Sequence, residues 1–155
     1  MTFAFVAALA LVAAIQSPAA AGPPVQPNVE FATPVAGSWR YATASDGSAV
    51  TFSNSSGQPQ LTIRCTRATR RVSIIKNAPS ASASLWIWTS SQAKTLPATY
   101  DSTSARVSAE LGAYDSFLDA IASSRGRIGF STPGLAALVV PPWADVARVI
   151  EDCRV

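Results

Sequence analysis

From Trp39 onward, apolar and polar positions alternate in short runs separated by turn residues, and this period of two predicts antiparallel strands. The first two runs, Ser38–Thr43 and Ala49–Ser53, flank Ser45-Asp46-Gly47-Ser48, where Asp-Gly is a strong hairpin signal. Asn54-Ser55-Ser56-Gly57 marks the next turn. Gln60–Arg67 places Leu61, Ile63 and Cys65 on one face and Thr62, Arg64 and Thr66 on the other, so Cys65 is expected to point into the core. Arg71–Asn77 and Ser84–Ser90 continue the meander. In the latter, Leu85, Ile87 and Thr89 oppose Trp86 and Trp88, a pattern expected of a strand covered on both faces. Ala105–Leu111 aligns Val107, Ala109 and Leu111.

The period then lengthens. Tyr114, Phe117, Leu118 and Ile121 share one face of a helix predicted over Tyr114–Ala122, with Asp115 suited to its N-terminus, where free N–H groups and the helix dipole favour an anion. Strands at Arg127–Ser131 and Ala136–Val140 follow. Pro141-Pro142 opens a last helix through about Asp152, with Trp143, Val146, Ala147 and Ile150 as its apolar stripe. The expected fold is α+β: a mainly antiparallel sheet or flattened barrel of about seven or eight strands carrying two short helices.

Ahead of this pattern lie two segments of different character. Phe3 to Ile15 is an uncharged apolar run followed by Pro18 and Ala19-Ala20-Ala21-Gly22, the order of a secretory signal peptide cut after Ala21. Thirteen apolar residues make about 20 Å of helix, short of the roughly 30 Å hydrocarbon core of a bilayer. Residues 22–37 hold Pro23, Pro24, Pro27 and Pro34 and read as an extended, poorly ordered lead-in. Residues 38–155 form a single domain.

Composition agrees with a globular chain: 48% of residues are apolar and 14% charged. The net charge is +3, unevenly spread. Between Gly47 and Tyr100 stand Arg64, Arg67, Arg70, Arg71, Lys76 and Lys94 with no carboxylate, so the middle of the domain is cationic. Two cysteines, Cys65 and Cys153, would pair in an oxidising compartment and tie the last helix to the sheet. Closing a loop of this length is worth roughly 4–4.6 kcal/mol in the chain-entropy model.

Histidine is absent, which removes Ser-His-Asp and Cys-His hydrolases and most zinc sites; no metal or other cofactor is expected. Asp101, Glu110, Asp115 and Asp119 are the carboxylates available to a small carboxylate-dependent enzyme, although Asp115 and Asp119 read more simply as a cap and a solvated face. Ser91-Gln92-Ala93-Lys94 matches an S-x-x-K pattern without its partner motifs. Ser124-Arg125-Gly126-Arg127 offers backbone N–H groups to an anion, or marks a helix exit. Trp86 and Trp88 form a same-face pair able to stack on a sugar or a partner, or to serve as core beneath a helix. Arg64, Arg67, Arg70 and Arg71 concentrate four guanidinium groups at one turn, a candidate anion-binding surface; the alternative is a solvated loop or pairing with the acidic C-terminal third.

Leu118-Asp119-Ala120-Ile121-Ala122, Ser124-Arg125-Gly126-Arg127-Ile128, and Trp143, Ile150, Glu151, Asp152 and Cys153 together resemble the ending of uncharacterised small secreted proteins of alphaproteobacteria. More loosely, the ending of strand, helix and terminal cysteine is similar to invasion-associated locus B proteins. The resemblance implies an exported bacterial β-rich domain and carries over no functional residue. The expected function is that of a non-enzymatic periplasmic or extracellular binding protein, touching an anionic glycan, a lipid head group or another envelope protein through the arginine turn. Nucleic acid is disfavoured by the compartment. An inhibitor of a secreted hydrolase and a small enzyme are the alternatives.

Overall fold

A computed structural model describes residue 1 and residues 28–155; the apolar run, the Ala21 cut and the first part of the lead-in lie outside these residues. Ten strands and two helices follow in the order β1 (Gly37–Ala44), β2 (Gly47–Asn54), β3 (Pro59–Thr66), β4 (Arg71–Asn77), β5 (Ser84–Trp88), β6 (Ala93–Pro97), β7 (Thr99–Asp101), β8 (Arg106–Gly112), α1 (Ser116–Ala122), β9 (Ile128–Ser131), β10 (Leu138–Val140) and α2 (Ala144–Asp152). They build two open antiparallel sheets, one of six strands ordered β1-β2-β3-β4-β8-β7 and one of four ordered β10-β9-β5-β6. The meander therefore stops at β4. The chain crosses to the second sheet for β5 and β6, returns for β7 and β8, and crosses again for β9 and β10.

The first hairpin forms where Asp-Gly indicates, but not through glycine's freedom at positive φ. Ser45 and Asp46 make the two-residue connection, and Gly47 is already the first residue of β2, paired with Ala44. Its lack of a side chain serves packing, because a Cβ there would sit 2.1 Å from the Cys65 carbonyl oxygen. At the next turn the Asn54 side chain accepts from the backbone N–H groups of Ser56 and Gln58, and Gly57 takes φ 77°.

One face of the six-stranded sheet carries Val50, Phe52, Leu61, Ile63, Cys65, Val72, Ile74, Val107 and Ala109, all nearly or fully buried. Helix α2 covers this face over β1, β2 and β3, while β5 and β6 of the second sheet cover it at β8, and α1 lies against α2. The core is thus the space between two sheets, completed by helices. Helix α1 begins at Ser116 with the Asp115 carboxylate accepting from the Phe117 N–H, as a cap should. Tyr114, expected on the helix's apolar face, precedes the helix and is exposed. Likewise Trp143, expected in the stripe of α2, is its N-cap and 55% exposed; Val146, Val149 and Ile150 make the buried face. Cys65 and Cys153 form the disulfide, joining a central strand to the end of α2.

The expectation of a loose lead-in fails for its described part. Val29 is buried, the Val35 N–H bonds the Val139 carbonyl, and an Arg127 guanidinium N–H donates to the Glu30 carbonyl. Val29 fills the notch left by Gly129 on the outward face of the four-stranded sheet, where a Cβ would lie 2.6 Å from a Val29 methyl. Apolar burial fixes this segment where composition alone suggested solvent.

Candidate functional site

The arginine turn sits at the end of the six-stranded sheet where β1 meets β2. A 3-10 turn, Arg67–Thr69, joins β3 to β4 and buries none of its residues. Its backbone is tied on both sides: the Arg67 N–H bonds the Asp46 carbonyl at 2.9 Å, and the Arg70 carbonyl accepts the Ala113 N–H at 2.9 Å. Arg70 is left-handed, with φ 49° and ψ 47°, a conformation that glycine or asparagine adopts at lower cost.

The four guanidinium groups expected there are not equivalent. Arg64 lies on the solvent face of β3, as the alternation implies, and reaches across the hairpin to Asp46, 2.5 Å away, which neutralises it. Arg70 donates to the Tyr114 hydroxyl at 3.3 Å, and that hydroxyl donates to the Arg154 carbonyl at 2.7 Å. Among the described residues, Arg67, Arg70 and Arg71 have no carboxylate within ion-pair distance. The cationic tip is therefore a group of three.

Close by, under α2, is a cluster that sequence reasoning missed. The Tyr41 hydroxyl donates to the Asp152 carboxylate at 2.7 Å, the Arg148 guanidinium lies 4.0 Å over the Tyr41 ring, and the Trp39 indole N–H donates to the Pro141 carbonyl at 2.8 Å. Burial alone would raise the Asp152 pKa. The Ser48 hydroxyl, which approaches without reaching full hydrogen-bond geometry, the Tyr41 hydroxyl and the charges of Arg148 and Arg67 outweigh it and hold the carboxyl below the usual range. Tyr41 and Asp152 lie 111 residues apart, a pairing to which no local pattern points.

The other candidates are dispersed. Lys94 turns away from Ser91 to Asp115, 3.5 Å distant, and lies over the Phe117 ring, so the S-x-x-K residues do not form a couple. Asp119 pairs with Arg154 at 2.7 Å and is otherwise solvated. Glu110 accepts from Ser73, and Asp101 from Ser104 and the Thr103 N–H, contacts that lower the Asp101 pKa. Each of these carboxylates has its own structural partner. The Ser124, Arg125 and Arg127 N–H groups are taken by the Ile121 carbonyl, the Ser90 hydroxyl and the Arg125 carbonyl, so these backbone donors are already engaged within the fold. Among the described residues no group of three or more Cys, Asp or Glu is placed to hold a metal ion.

Trp86 and Trp88 are half-buried on the outward face of the four-stranded sheet, opposite Leu85 and Ile87, which are fully buried. They are therefore neither core beneath a helix nor a fully open platform: Trp88 stands opposite Gly129, on which Val29 rests. On the outward face of the six-stranded sheet, Arg40, Thr51 and Ser53 line a shallow hollow of about 690 Å³ with no converging acid and base.

No family model, curated protein or solved structure matches this chain.

Proposed function

We propose that the chain is an exported, non-enzymatic binding protein of the bacterial envelope, and that it contacts anionic envelope material through Arg67, Arg70 and Arg71. Export is supported by the Phe3 to Ile15 run ahead of Ala19-Ala20-Ala21, and a disulfide between Cys65 and Cys153 is compatible with an oxidising compartment. The observation that carries the binding surface is the tip itself. Three guanidinium groups with no carboxylate in ion-pair contact among the described residues stand on a backbone anchored at both ends, so little order is lost when an anion is gripped. Arg70 keeps a long side chain where a glycine would relieve the backbone, and its guanidinium is oriented by Tyr114. Forked N–H donors suit the planar oxygens shared by phosphate and carboxylate.

The test uses the purified disulfide-closed protein with three probes: vesicles of phosphatidylcholine alone, the same vesicles containing phosphatidylglycerol, and heparin as a soluble anionic glycan. Binding to one of the two anionic probes, weakened by salt and lowered at least about tenfold by Arg67→Ser, Arg70→Ser and Arg71→Ser together, is expected. The probe that binds tells lipid head group from glycan. Undiminished binding by the triple variant rejects the tip, and no binding to either anionic probe rejects the reading.

A further inference from the structure

Four strands stand at the edges of the two sheets: β1 and β7 in the larger, β10 and β6 in the smaller. Three of them are blunted. Strands β7 and β10 have three residues each, and Val139 of β10 is already bonded by Val35. Strand β6 carries Lys94 and ends at Pro97. Strand β1 has eight residues, no proline or lysine, and an unbroken register with β2 from Gly37 to Ala44. A long edge left in this state is a template for another strand.

The direction of its free groups follows from the turn. A two-residue connection makes Ala44 and Gly47 the closing hydrogen-bonded pair, and alternation extends the bonded set to Ala42, Arg40 and Ser38. The N–H and C=O groups of Trp39, Tyr41 and Thr43 then point away from β2. Among the described residues none of these three takes a backbone hydrogen bond from another segment. Arg40 is exposed on the outward face of the strand and has no carboxylate within ion-pair distance among the described residues. On the inward face Arg148 stands over Tyr41 and shares that side with Asp152, which takes the Tyr41 hydroxyl, so Arg40 is the cation of the edge that an incoming carboxylate meets unopposed.

We propose that β1 accepts an extended acidic segment of another protein as an added antiparallel strand, with successive carboxylates falling opposite Arg40 and beside Arg148. Charge decides between occupants. Adjacent residues of an incoming strand project to opposite faces, so two neighbouring acidic residues meet one arginine each. A second copy of this chain, paired about the middle of β1, would set its Arg40 directly opposite or diagonal to the first, which disfavours self-pairing. This edge borders the arginine tip at the β1–β2 turn but uses different groups, the outward amides of Trp39, Tyr41 and Thr43, and its test reads those amides and not the tip.

The test is amide hydrogen exchange on the disulfide-closed protein with a synthetic eight-residue peptide of threonine and valine carrying two adjacent central glutamates. Exchange at Trp39, Tyr41 and Thr43 is expected to slow on addition of the peptide, while Ser38, Arg40 and Ala42, already bonded to β2, change little. Thr43→Pro removes one outward donor and leaves the ladder to β2 intact; it and Arg40→Glu should each weaken binding roughly tenfold. Arg40→Glu, at an exposed position, keeps the test open should the proline variant fold poorly. The proposal is overturned if the three amides do not respond to the peptide, if a lysine-for-glutamate peptide protects them equally, or if their protection rises with protein concentration alone, which would assign the edge to a second copy.

Discussion

The Tyr41 hydroxyl donates to the Asp152 carboxylate at 2.7 Å, fastening the edge strand of the six-stranded sheet to the last turn of α2. Tyr41→Phe leaves the ring in place and removes only this bond, and should cost about 1–2 kcal/mol by urea unfolding near pH 7.

Asp152 titrates below the usual carboxylate range in the folded chain, so its contribution is present above the unfolded value and is lost as pH falls through the depressed one. Asp152→Asn should therefore be less stable than wild type near neutrality, and the difference should narrow as pH is lowered toward about 3. A difference that stays constant with pH would show that the carboxylate's charge plays no part.

Lys76 is a buried cation on the inward face of β4, its amine bonded to the Asn77 carbonyl at 2.9 Å. Desolvation lowers its pKa, so the folded state holds its proton less tightly than the unfolded state does. Stability then rises with pH as the solution passes through the lowered value toward the ordinary lysine range. Lys76→Met should flatten that rise and stabilise the protein at neutral pH by about 1 kcal/mol, read from urea midpoints across an alkaline series.

Gly129 and Val29 form a notch and its filling. Gly129→Ala forces a methyl into the Val29 side chain and should cost about 1–3 kcal/mol, with faster proteolysis around residues 28–36. Adding Val29→Ala should restore part of the loss, a non-additivity that separates direct contact from general strain in the sheet.

Strand β4 was legible from sequence to the residue although its own pattern does not alternate, with Val72, Ser73 and Ile74 buried in succession. Strands β6 and β7 were not. Of β6 only Leu96 is buried, and its pairing is dictated by β5 rather than by any pattern of its own. The division into two sheets is equally hidden, since alternation states which face a residue takes and not which strand lies beside it. Tyr114 and Trp143 fit their helical stripes by spacing, but each falls just outside the first turn, where the chain enters from solvent. The arginine turn could be read as a cluster. Arg64 could be told from the other three only after the hairpin brought Asp46 across to it.

Helix α2 roofs strands made about ninety residues before it, and Cys153 at its end bonds Cys65 in the third strand. The bond cannot form until residue 153 has been synthesised and folded back over the sheet. Until α2 packs on β1 to β3, the inward side of Phe52 and Ile63 lacks this cover. Contacts of such long sequence separation are the kind that slow folding, and until they form the apolar side of the first hairpins is open to contact with other unfolded chains.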